Sequence, residues 1–116
     1  MAGNRVVVGA HYGLRDWLIQ RISAVVILLY VAWLLAEVGM LPVWSYGNWA
    51  GIFASVHMKV LTVLAALAVS YHGWIGVRDI FMDYVKPAGM RLLLQVVAVT
   101  ALIGYVIWAA VIVWRV

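Results

Sequence analysis

A histidine at the end of a long apolar run and an Asp-Tyr pair eleven and twelve residues further on are the side chains of this sequence best placed for chemistry. They lie in Tyr71-His72-Gly73-Trp74-Ile75-Gly76-Val77-Arg78-Asp79-Ile80-Phe81-Met82-Asp83-Tyr84-Val85-Lys86-Pro87. An imidazole among apolar side chains costs free energy unless its nitrogens find partners, so His72 needs an explanation. Neutral imidazole is a common haem ligand in helical bundles, where the macrocycle slots between apolar helix faces. Gly73 and Gly76 lack a Cβ, and Gly76, at i+4, shares the histidine's face, so a flat ring or a second helix could come close. The competing account is a hydrogen bond from His72 to a neighbouring helix, with the glycines serving helix packing. Tyr84 is a hydrogen-bond donor suited to a quinone carbonyl, and Asp83 beside it could relay protons or hold a nearby arginine. Taken singly, they read equally well as an interfacial anchor and a solvated charge.

The elements that must position these groups are membrane helices. Of 116 residues, 68% are hydrophobic and 10% charged, against about 45–50% and 25% in soluble domains. The apolar residues come in unbroken runs rather than alternating, which predicts an all-α integral membrane protein and excludes a barrel. With no cysteine, the chain supplies neither disulfides nor thiolate ligands. The net charge of +4 is carried by scattered residues flanking the apolar runs, a pattern of membrane topology rather than of nucleic-acid binding.

The expected organisation is one domain: a tail over residues 1–16 and helices over about 17–39, 50–77 and 89–114. No cleavable leader is read in the tail. Asp16 is expected at the start of the first helix, capping its free N–H groups. Each run suffices for a hydrocarbon layer of about 30 Å; Trp17 and Trp33 fall near the interfaces, and Arg21 would snorkel to the headgroups. Residues 39–51, with Pro42, Trp44, Tyr46 and Trp49, form an aromatic connection. Pro87 and Gly89 mark a turn before the third span, Leu92 to Trp114. Six basic residues (Arg5, Arg15, Arg21, Arg78, Lys86, Arg91) fall at one side of the membrane and two (Lys59, Arg115) at the other. The positive-inside rule then predicts a cytoplasmic N-terminus and an outer, periplasmic C-terminus.

His57 has no ligating companion at i+3 or i+4 and is read as a snorkelling or packed residue; no ligand role is assigned to Lys59 or His11, and the methionines show no ligand spacing. Two rivals stand beside a haem protein. One is a haem-free packing subunit of another respiratory or transport complex. The other is a small proton-coupled transporter using Glu37 or Lys59, which lacks paired intramembrane carboxylates.

The combination His72-x-Trp74-Ile75-Gly76, Asp83-Tyr84-Val85-Lys86-Pro87, Arg91-Leu92 and Gln95, together with Asp16, Arg21, Phe53-Ala54-Ser55 and Lys59, resembles the hydrophobic membrane-anchor subunit of bacterial succinate dehydrogenase, respiratory complex II, over residues 13–116. The resemblance implies three transmembrane helices in the bacterial inner membrane, packed with a cytochrome b subunit and carrying an iron-sulfur subunit and a flavoprotein subunit. It implies that His72 is one axial ligand of a haem b whose second ligand comes from the cytochrome b subunit. Tyr84 would bind ubiquinone, and Arg21 a haem propionate or the quinone site. Such an anchor passes electrons from succinate to ubiquinone without itself oxidising succinate; a fumarate reductase anchor is the alternative within the class. Arg78 departs from the apolar or neutral residue expected after the Trp-Ile-Gly run.

Overall fold

The structure, a computed structural model, describes the backbone of residues 8–116 and the side chains of residues 13–116. The first seven residues of the expected tail, with Arg5, and the side chain of His11 lie outside the described residues. Four helices follow in order: α1 (Val8–Gly39), α2 (Tyr46–Ile52), α3 (Val56–Tyr84) and α4 (Ala88–Trp114). Three of them, α1 from Gly13, α3 and α4, are long and apolar enough to cross a membrane. At 1.5 Å per residue, α3 is about 44 Å long and exceeds a hydrocarbon layer of about 30 Å.

Proline and hydroxyl caps divide the chain. Pro42 has no N–H and disfavours helical geometry in the residue before it, so α1 closes at Gly39 with Met40 N donating to Ala36 O at 3.1 Å. Ser45 caps α2 by accepting from Asn48 N at 3.2 Å, and Asn48 Nδ2 ties back to Val43 O at 2.7 Å. The connection after the first span therefore contains a seven-residue helix, its Trp49 and Phe53 rings meeting edge to face at 5.1 Å. Ser55 accepts from Met58 N at 3.4 Å and starts α3 there, six residues later than the apolar run suggests. At the other end α3 runs on through Arg78 and Asp79 to Tyr84, past the expected end near residue 77. Charged residues do not break a helix that has left the hydrocarbon; Lys86-Pro87 does.

The first helix corrects the sequence reading too. It extends back to Val8, so Asp16 lies more than two turns inside it and cannot cap its start. A different partner holds this carboxylate, as described below.

Helix α3 is central: α1 packs along one side and α4 along the other, and these two scarcely touch each other. Lys59 Nζ donates to Val116 O at 3.0 Å, which brings the start of α3 and the end of α4 together at one end of the bundle. The interior is thin. Met58, Ala65, Ile75 and Val113 are the buried apolar side chains among the described residues. The radius of gyration of 19.0 Å compares with about 13 Å for a compact domain of this length. Most leucines, valines and tryptophans face outward, a surface that belongs against lipid or other helices rather than water.

Candidate functional site

The less exposed residues of α1 include Asp16, Gln20, Ser23, Ile27, Tyr30 and Leu34, the three-and-four spacing of one helix face. Four of them are polar, and three of these, Asp16, Ser23 and Tyr30, stand seven residues apart and each meet a polar group of α3. Near the Tyr84 end, Asp16 forms an ion pair with Arg78, which also reaches Asp79 at 3.7 Å. In the middle, Ser23 Oγ lies 3.0 Å from His72 Nδ1. Toward the other end, Tyr30 Oη lies 2.7 Å from Thr62 Oγ1. Thr62 spends its own hydrogen on Met58 O at 2.8 Å, so the phenol is the donor to Thr62. Polar links of this kind hold helices together in lipid, where apolar contact with a helix has little advantage over contact with a lipid chain.

The Asp16–Arg78 pair accounts for the arginine that departs from the resemblance: its charge has a carboxylate on α1 and a second on its own helix. It also answers which carboxylate holds an arginine here, since Asp83 makes no ion pair among the described residues. With side chains 31% and 21% exposed, the pair is neither free in water nor sealed from it. Hydrogen bonds to charged groups contribute about 1.5–3 kcal/mol when buried, and exposed pairs less than about 1. We therefore expect a double-mutant cycle of Asp16→Ala and Arg78→Leu, read from thermal unfolding in detergent, to give a coupling of about 1 kcal/mol. Strictly additive losses would show that the two side chains do not support each other.

His72 is half-buried, with Nδ1 against Ser23 and no described residue bonded to Nε2. A Cβ built on Gly73 or Gly76 would meet nothing within 4 Å, so the face carrying His72 and Gly76 is open beside the ring. Ser23 is 6% exposed and also donates to Gln20 O at 3.1 Å. One turn away, the side-chain oxygen Oε1 of Gln20 is buried without a partner.

Tyr84 ends α3, twelve residues from His72, or about 18 Å along the helix axis. It is 79% exposed, and Asp83 is exposed beside it. Arg21 lies two residues from Ser23 on α1, about 200° around the helix, and packs over the Trp17 ring at 5.0 Å. The structure thus brings His72 to α1 through Ser23, places Asp83 and Tyr84 at the α3 end, and leaves Arg21 on another face. Among the described residues no three His, Cys, Asp or Glu side chains gather as a metal site. Sequence reasoning missed the partners of His72 and Arg78, although Asp16, Ser23 and Tyr30 stand at a seven-residue repeat that a search for polar stripes on one helix face would find.

Three apolar spans joined by short connections, with a polar seam between the first two, define a helical multi-pass membrane protein whose outward faces await other apolar surfaces. Comparison with known proteins makes this specific. The model of the succinate dehydrogenase/fumarate reductase transmembrane subunit family matches residues 2–112, and the chain belongs to that family. A protein of Coxiella burnetii (strain RSA 493 / Nine Mile phase I) named succinate dehydrogenase hydrophobic membrane anchor subunit is 34% identical over 102 residues, covering 88% of this chain and 89% of the relative.

Proposed function

We propose that this chain is the membrane-anchor subunit of a succinate dehydrogenase in the bacterial inner membrane, holding one side of a haem b and forming part of a ubiquinone site. The observation that carries the haem assignment is the state of His72: one ring nitrogen is engaged by α1, while the other has no described partner and open space lies along its helix face. A single imidazole suits an iron whose equatorial ligands come with a macrocycle. One histidine at this depth would leave a further ligand of the haem to come from a partner, and the apolar outer faces of the three spans suit a cytochrome b subunit.

Haem b supplies one-electron storage when bound. This chain's own part is to present Nε2 of His72 in a water-poor setting. Tyr84 would donate its O–H to a carbonyl oxygen of ubiquinone, stabilising charge that develops there on reduction. Asp83, exposed beside it, would deliver a proton. Arg21, on another face of α1, would reach a haem propionate or the quinone only from that side. The end of the bundle holding Arg15, Arg78, Lys86 and Arg91 would face the cytoplasm, where iron-sulfur and flavoprotein subunits would sit over Tyr84. The relative's name favours succinate oxidation over fumarate reduction.

Mild-detergent purification of the chain from its native membrane tests this. A flavoprotein, an iron-sulfur protein and a second small membrane subunit should accompany it, and the reduced-minus-oxidised spectrum should show sharp cytochrome b bands. A preparation without Soret absorbance, or a chain that isolates alone, would defeat the proposal.

A further inference from the structure

The geometry points to Ser23 as the positioning residue of the haem ligand: its hydroxyl, anchored on Gln20 O, accepts the Nδ1 hydrogen of His72 and so fixes which nitrogen faces the iron. This rests on the haem assignment proposed above and extends it to α1.

A serine hydroxyl has one hydrogen and two lone pairs. The Gln20 carbonyl can only accept, and at 3.1 Å the serine hydrogen is directed to it. The second contact, at 3.0 Å to His72 Nδ1, must then use a serine lone pair, which requires the hydrogen on Nδ1. In the neutral ring this leaves Nε2 unprotonated, with its lone pair free for a metal. Were the ring the other tautomer, Gln20 O and His72 Nδ1 would compete for the single serine hydrogen. Thr62 has the same arrangement, its hydroxyl donating within its own helix while receiving from the facing one.

The relay has two effects beyond choosing the tautomer. It fixes the plane of the ring, because Ser23 is buried on a helix that Asp16–Arg78 and Tyr30–Thr62 hold in register on either side. It also raises the basicity of the ligating nitrogen, since a partner for the N–H withdraws that proton and strengthens the imidazole as a donor. The serine is itself a better acceptor for donating to a carbonyl. A more basic axial ligand favours the ferric state, so the wild-type relay holds the haem midpoint potential down.

The test uses the purified complex with Ser23→Ala, Ser23→Thr and Ser23→Val. Alanine and valine should shift the midpoint potential upward and raise the rate of haem loss to an acceptor protein about 10-fold, the lower end of the range for such partners. Threonine, which keeps the hydroxyl, should leave both near wild type and so separates the hydrogen bond from packing. In the unmutated complex, pulsed EPR of the remote imidazole nitrogens should show one bonded N–H attributable to His72. Wild-type potential and haem retention in Ser23→Ala, or free N–H signatures on both axial ligands, would overturn the inference. Haem that persists after removal of His72 would instead defeat the reading beneath it.

Discussion

Replacing His72 with alanine is expected to remove the cytochrome b bands from the purified complex, with haem content falling at least about 10-fold while the protein subunits stay associated. Hydrogen-bonding partners of a metal-bound histidine are by themselves worth about 10–100-fold in metal affinity, so deletion of the ligand should cost no less. Added imidazole should restore part of the absorbance by entering the space left at α3. The alternative, a histidine serving only to bind Ser23, makes a very different forecast. A neutral hydrogen bond contributes about 1 kcal/mol to stability, so the variant would be slightly less stable and its spectrum unchanged. His57→Ala is the control: that residue lies fifteen positions earlier in α3, about 22 Å away, near Ser55 at 3.5 Å, and its loss should leave the haem spectrum intact. An unaltered spectrum in His72→Ala would end the haem assignment.

The membrane spans were legible because hydrocarbon thickness imposes a length and apolar residues fill it. Their ends were less so, for particular reasons. Phe53 and Ala54 look like span residues, and only the Ser55 hydroxyl capping Met58 N starts α3 afresh. Arg78 and Asp79 look like a loop, yet they continue the helix, with Arg78 compensated by Asp16 on α1 and by Asp79 on its own helix. Ser45 followed by Asn48 is a readable capping pattern for α2, hidden within a stretch whose aromatics drew attention to the interface instead.

For the candidate site, the sequence singled out His72, Asp83 and Tyr84 by type, and the structure locates them on one helix at different depths. It could not show that Ser23 and Asp16 are what α3 leans on, because a pairing between helices is set by their rotation as well as their composition. Once α1 and α3 are known to be antiparallel neighbours, the repeat of Asp16, Ser23 and Tyr30 explains itself. Each of these three residues of α1 is tolerated at membrane depth because a polar residue of α3 meets it. The same seam ties the depth of the imidazole to the end of the bundle where Tyr84 stands.

Tyr84→Phe should separate the quinone from the haem. The substitution removes one oxygen from a residue that is 79% exposed and bonded to no described side chain, so on stability grounds alone it should change little, within about 0.5 kcal/mol. If the phenol donates to a quinone carbonyl as charge builds on it, the loss is that of a charge-assisted hydrogen bond, about 1.5–3 kcal/mol, or roughly 10–100-fold in kcat/KM for ubiquinone. Succinate oxidation measured with a dye that takes electrons ahead of the quinone should be retained. The haem spectrum should not change either, since the hydroxyl is about 18 Å along α3 from His72. A loss confined to the quinone assay places Tyr84 at the substrate. Unchanged quinone reduction would return it to the ordinary standing of a tyrosine at a membrane interface, where its ring anchors the helix and its hydroxyl needs only water.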